Sequence, residues 1–318
     1  DPKPALRPGR GRPPAARPES LRGHGTGRSR HTPTMAMLRS FVLAAALALV
    51  GLAASAQTAV VKTDQARAEL LAHAPEGVAA GKPLWLGLKI EHAPQWHTYW
   101  KNPGDSGLPT TLAWTLPAGF APGEIAWPTP KPLPVGPLMN FGYEGTLLLP
   151  VPVTVPAGFA GDTLEVRLQA EWLICKDVCI PESGQFVLQV PARAATGAHA
   201  ALFEAAQAAV PQALAGAQAA ATLQDGALVV RASGLPAAWQ GRALHFLPET
   251  PGVIDNAAKP VAQWKDGAWE ARIALSPQRS ESPARMPVVL AAPGAPAGVR
   301  VDLPIEGSWP APGSTPPA

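Results

Sequence analysis

Between Leu164 and Cys175 the side chains alternate with a period of two. Leu164, Val166, Leu168, Ala170, Trp172 and Ile174 share one face, while Glu165, Arg167, Gln169, Glu171 and Cys175 share the other. Such a segment is a half-buried strand, apolar toward a core and polar toward water. Leu84, Leu86, Leu88 and Ile90 repeat the pattern opposite Lys89 and Glu91. Residues 111–116, 146–154 and 185–190 are further strand candidates, separated by turns such as Asn102-Pro-Gly-Asp105 and Pro156-Ala-Gly158. With 39 Pro and 30 Gly punctuating short apolar runs, the spacing predicts an all-β chain built on an antiparallel β-sandwich.

A second set of strands follows. Residues 199–210 are Ala-rich, with Leu202, Phe203 and Val210 among the larger apolar groups, and read as a short helix in a linker over 196–220. Beyond it, 227–231, 243–247, 268–275, 288–292 and 299–303 are strand candidates. Lys265-Asp-Gly267, between Trp264 and Trp269, is a hairpin signal, because Asp-Gly suits a turn that needs positive φ. These predict a second, smaller β-sandwich-like domain over 221–307 and a Pro-rich linker or tail over 308–318.

The start of the chain reads as an address. From Met35 or Met37 a basic residue, Arg39, precedes an apolar run from Phe41 to about Ala54, and Ala54-Ser-Ala56 matches an A-x-A cleavage site. This is a secretory signal peptide over 35–56, the run being shorter than the roughly 18 apolar residues of a spanning helix. Residues 1–34, rich in Arg, Pro and Gly, are expected to be a disordered upstream extension. That leader holds eight basic and two acidic residues, so that after Ala56 the balance is 17 basic to 21 acidic. The net +3 of the whole chain therefore argues for no nucleic-acid partner.

The chain has two cysteines, Cys175 and Cys179. A three-residue hairpin loop at Lys176-Asp-Val178 would set them opposite each other within disulfide reach. Closing so short a loop removes little entropy from the unfolded chain, so crosslinking is a weaker reason for the pair than redox exchange. Lys176 would favour a thiolate, and Asp177 and Glu182 would oppose it. A static hairpin disulfide stays open as an alternative, since exported cysteines are commonly structural. Copper or zinc binding would need His or Met ligands brought in by folding. Hydrolysis by a cysteine nucleophile would need an orienting His, which His97 or His245 could supply only through the fold. No cofactor and no resident metal are expected.

Several motifs in order resemble a known family. Trp96-His-Thr-Tyr-Trp-Lys-Asn-Pro-Gly-Asp-Ser-Gly107, Trp127-Pro128, Phe141-Gly-Tyr-Glu-Gly145 with Leu149-Pro150, and Trp172-Leu-Ile-Cys-Lys-Asp-Val-Cys-Ile-Pro181 are similar to the periplasmic N-terminal region of DsbD-type thiol:disulfide reductases, nearest to the ScsB branch linked to copper tolerance. The likeness covers about residues 60–192 well and the second β domain more loosely. It implies an immunoglobulin-like redox domain over 57–195. Such a domain takes electrons from a membrane electron-transfer domain, associates with the parent reductase's thioredoxin-like domain, and passes the electrons to periplasmic thioredoxin-fold substrates. By the same resemblance Cys179 forms the mixed disulfide and Cys175 resolves it, and an aromatic cap shields the pair, with Phe141 and Tyr143 the nearest matches and Tyr99 close by. DsbD itself has a longer spacer between these cysteines. The chain is expected to be an N-terminal fragment of a protein-disulfide reductase, tethered to the inner membrane in the complete protein. The alternative is a non-enzymatic periplasmic or copper-tolerance module with a structural disulfide.

Overall fold

The computed structural model describes residues 58–311. The expected extension at 1–34, the signal peptide at 35–56 and most of the Pro-rich tail lie outside the described residues. In chain order the first part runs β1 (Val60–Lys62), β2 (Ala66–His73), β3 (Trp85–His92), β4 (His97–Gly104), β5 (Thr111–Thr115), β6 (Ala121–Pro122), β7 (Lys131–Val135), β8 (Leu138–Glu144), β9 (Thr146–Thr154), β10 (Thr163–Cys175) and β11 (Cys179–Pro191). One sheet has the order β1-β2-β3-β9-β6; the other has β11-β10-β4-β8-β7, with β5 also paired to β10. The alternation in β10 decides which face of the second sheet turns inward. Leu164, Val166, Leu168, Ala170, Trp172 and Ile174 are all buried, and they meet Leu70, Leu86, Leu88 and Ile90 of the first sheet in one core. Each of these Leu, Ile and Val side chains contributes about 1.5–3 kcal/mol by leaving water, against which chain entropy is set.

The helix α1 (Ala200–Ala208) carries no side-chain cap, and nine residues are too few to hold a helix in water without packing. Phe203 anchors it: the ring is fully buried with Leu71 and Leu148. Gly87 leaves the room, since a Cβ there would stand 2.8 Å from Leu148 Cδ1 and 3.2 Å from the Phe203 ring. The rest of the expected linker differs from the sequence reading, because a strand already begins at Gln218. Its sequence, Gln-Ala-Ala-Ala-Thr-Leu-Gln, has the Ala content of a helix. A neighbouring strand overrides that preference through a full antiparallel ladder.

The second part comprises β12 (Gln218–Gln224), β13 (Ala227–Ser233), β14 (His245–Pro248), β15 (Val261–Lys265), β16 (Ala268–Ala274), β17 (Arg285–Ala291) and β18 (Val299–Glu306), in the sheet order β14-β17-β18-β12-β13-β16-β15. The Asp266-Gly267 turn forms as the sequence predicts, pairing Trp264 with Trp269 and Lys265 with Ala268, both turn residues at positive φ. Residues from both ends of the sheet converge on one core that includes Leu228, Trp269, Val288, Leu290 and Leu303. A separate cluster joins the two parts: Trp100, Phe141, Tyr143, Leu147 and Leu149 of the first pack with Leu247, Val289 and Ala291 of the second. Among the described residues no helix is long and apolar enough to cross a membrane.

Candidate functional site

The β10–β11 ladder runs from Thr163↔Pro191 to Cys175↔Cys179 without a register shift, leaving Lys176, Asp177 and Val178 as the loop. The Lys176 amide donates to the Val178 carbonyl at 3.0 Å. The two cysteines are disulfide-bonded, with Cα atoms 4.1 Å apart. They are not equivalent. Cys175 is 2 % exposed, whereas Cys179 is open to solvent.

Period two puts Cys175 on the face of β10 opposite the sandwich core, so its burial has another source. That source is β4. His97 is the register partner of Cys175 across the β10–β4 pairing, and Glu144 is the partner of His97 across β4–β8. Directly opposed residues in antiparallel strands project to the same side. Cys179, Cys175, His97 and Glu144 therefore form one row across β11, β10, β4 and β8. Tyr99 lies two residues along on the same face, its ring edge-on to His97 at 5.2 Å and its hydroxyl 3.8 Å from Cys179 Sγ. Gly107 and Pro109 complete the cover: Pro109 bridges to Tyr99, and a Cβ on Gly107 would fall 2.3 Å from the Tyr99 ring.

Electrostatics near the row favour neutral groups. Burial holds the His97 imidazole below its ordinary pKa, against an upward pull from Glu144. His97 is 5 % exposed, and its Nε2 has no hydrogen-bond partner among the described residues. Burial also raises the Tyr99 phenol. His92 is pushed down to about 4, first by burial and also by His97, against a carbonyl hydrogen bond from Gly145. A neutral His92 with Nδ1–H donating to the Gly145 carbonyl (2.7 Å) leaves Nε2 to accept from the Thr98 hydroxyl (2.9 Å). Glu182 accepts the Trp172 indole N–H at 2.9 Å.

The structure brings Tyr99 to the sulfurs and places Phe141 and Tyr143 elsewhere. Both lie on β8 on either side of Gly142, the register partner of Tyr99, and strand alternation turns them to the opposite face. Phe141 meets Trp100 edge-on at 6.5 Å, in the cluster shared with the second part. Tyr143 stacks on Trp127 and donates its hydroxyl hydrogen bond to the Pro128 carbonyl at 2.7 Å. The neighbour of the disulfide across β4 is His97, which the sequence reading named only as an orienting histidine for hydrolysis. Its signal was the alternation in His97-Thr-Tyr-Trp100, which pairs His97 with Tyr99 on one face.

Beside the hairpin is a groove of ≈ 540 Å³ lined by Leu108, Pro109, Glu171, Leu173 and Pro181, among others. Glu171 and Leu173 share the face of Cys175, so groove and disulfide open to the same side. Leu108 and Val178, 65 % and 61 % exposed, stand as uncovered apolar side chains at its rim and at the hairpin tip. Among the described residues no group of three or more His, Cys, Asp or Glu is arranged to hold a metal ion.

Comparisons with known proteins bear on the family and the fold. Residues 67–191 match the family described as thiol:disulfide interchange protein DsbD, N-terminal. A solved structure, the N-terminal periplasmic domain of ScsB from Proteus mirabilis, superposes with a TM-score of 0.59 at 17 % identity, covering 80 % of this chain and 99 % of that one. No curated protein matches the sequence. Residues 67–191 are thus a DsbD-type N-terminal domain with a ScsB-like fold, and its disulfide supports thiol–disulfide exchange in general terms.

Proposed function

We propose that the chain is the periplasmic thiol–disulfide exchange region of a protein-disulfide reductase, working through the Cys175/Cys179 pair. A membrane electron-transfer domain reduces the pair, and the dithiol reduces oxidised thioredoxin-fold proteins of the periplasm. The observation that carries this reading is the inequality of the two sulfurs: one exposed at a hairpin tip beside an apolar groove, the other enclosed. An attacking thiolate needs access to the partner's sulfur, and a resolving thiol needs only its neighbour. Cys179 forms the mixed disulfide and Cys175 resolves it. Tyr99 shields Cys179 directly. Phe141 and Tyr143 contribute from the other face of the sheet by holding β8 against β4. Leu108, Val178 and the groove receive the apolar surface around the partner's cysteines.

The reading is tested by removing the resolving thiol. Mixed with an oxidised thioredoxin-fold protein, Cys175→Ala is expected to accumulate a mixed disulfide through Cys179, visible on a nonreducing gel, whereas Cys179→Ala forms none. Absence of the adduct in Cys175→Ala, with Cys179 still reactive toward a small disulfide, overturns the proposal.

A further inference from the structure

The disulfide closes a row whose other two members have no part in the exchange described so far. Cys175 has Cys179 as its partner on one side and His97 on the other, and His97 has Glu144 beyond it. This order, sulfur, imidazole, carboxylate, is one that can move a proton off a thiol. Cys175 also needs such help. It is enclosed, and burial disfavours a free thiolate.

We infer that His97 is the proton acceptor that converts the buried Cys175 thiol into the resolving thiolate. This inference rests on the exchange reading and deepens it. In the disulfide form Cys175 bears no proton, and His97 Nε2 is a buried ring nitrogen without a partner among the described residues. Reduction would give Cys175 an S–H, a donor that an imidazole nitrogen can accept. Other groups facing His97 fit the role. Glu144, from β8, favours the imidazolium. The Tyr99 ring fixes the imidazole edge-on from its own strand. From the β3 side, His92 is held neutral by burial, which outweighs its hydrogen bond to the Gly145 carbonyl, and so adds no competing positive charge. Lys176 and Asp177 sit at the hairpin tip with opposite charges.

The step balances. The Cys179 thiolate attacks one sulfur of the partner disulfide, forming the Cys179–partner bond and expelling the partner's first thiolate. The Cys175 proton passes to His97 Nε2, and the new thiolate attacks Cys179 Sγ. The Cys175–Cys179 bond forms, the bond to the partner breaks, and the partner leaves as its second thiolate. The imidazolium returns its proton to that thiolate or to water. The chain is oxidised by two electrons and the partner reduced by two.

The test uses the full chain, reduced, and dithiobis(nitrobenzoate), a small disulfide that releases a coloured thiolate at each step. The first release reports attack by Cys179, the second reports closure by Cys175. For His97→Gln the ratio of second rate to first is expected to fall about tenfold or more near neutral pH. The deficit should shrink as pH rises above the free-thiol value of about 8.5 and the enclosed thiol begins to ionise without help. A ratio within about twofold of the parent at every pH, or a deficit that ignores pH, overturns the inference. Should the variant fail to fold, proton NMR of the unaltered chain decides: the His97 titration midpoint moves between disulfide and dithiol forms, and coincident curves overturn it. Both readouts are independent of any protein partner. Loss of the mixed disulfide in Cys175→Ala therefore sinks the exchange reading, while a normal second release in His97→Gln sinks only the proton-acceptor role.

Discussion

The two halves of β4 look toward different neighbours, although the sequence from Trp96 to Gly107 reads as one motif. His97 and Tyr99 turn to the disulfide. Trp100 is buried among Phe141, Leu247 and Val289. Lys101 ion-pairs with Glu249 at 2.9 Å, Asn102 Nδ2 donates to the Pro248 carbonyl at 2.7 Å, and Asp105 accepts from Asn256 at 2.8 Å. The change of neighbours coincides with a break in the ladder: Tyr99 pairs with Gly142, but Gly104 with Asn140. A bulge re-aims the side chains that follow it. One half of the strand therefore faces the disulfide and the other attaches the second β part.

The comparison breaks most visibly at Trp100. Trp100→Ala removes the largest side chain of the joining cluster and should cost about 3–5 kcal/mol in denaturant unfolding. The indole N–H has no hydrogen-bond partner among the described residues, so Trp100→Phe should cost much less. If the halves are separate, the folded fraction of Trp100→Ala keeps its rate with a small disulfide to within about twofold. A larger change means that attachment of the second part sets the reactivity of the sulfurs.

Gly107 probes the other half. Its φ of +102° is a conformation that side chains rarely adopt, and its missing Cβ leaves the space that the Tyr99 ring occupies. Gly107→Ala should cost about 1–3 kcal/mol, less than Trp100→Ala, yet speed reduction of the disulfide by a small thiol several-fold. Reduction at the parent rate would mean that Tyr99 shields nothing.

What was legible in the sequence followed from local periodicity. The alternation in β10 and the Asp266-Gly267 turn each depend on residues adjacent in the chain, and the structure has both. The facing of Cys175 and Cys179 was legible for the same reason: three residues between strands leave few ways to close. β12 was not legible, because an Ala-rich segment states no preference for a sheet and takes its conformation from β13. The row through His97 and Glu144 was hidden for a different reason. It joins residues 97, 144 and 175, which only the pairing of distant strands brings together. His97 was visible as a histidine but had no address. Phe141 and Tyr143 show the converse: their motif is plain in the sequence, but the face each takes depends on the register of β8 with β4.

The smallest effect distinguishes the halves by acid. His92, bonded to Thr98 in the first half, has its folded pKa depressed to about 4. An unfolded histidine near 6.5 binds a proton that the folded one refuses, so this contribution is complete above about pH 6.5 and lost as pH falls toward 4. Glu249 belongs to the other half. Burial pushes its carboxyl up, but hydrogen bonds from Arg300 and Lys101, with their charges, leave it below the ordinary value. Its contribution is complete above the unfolded value of about 4.3 and is lost only as pH falls further, through the folded value. His92→Gln should therefore flatten the stability profile above about pH 4, and Glu249→Gln the profile below it, each measured by urea unfolding at a series of pH values. At neutral pH Glu249→Gln should cost about 1 kcal/mol or less and become weaker in salt, since Lys101 and Arg300 are partly exposed. If Glu249→Gln instead flattens the profile above pH 4, the two halves of β4 titrate as one unit and their separation fails.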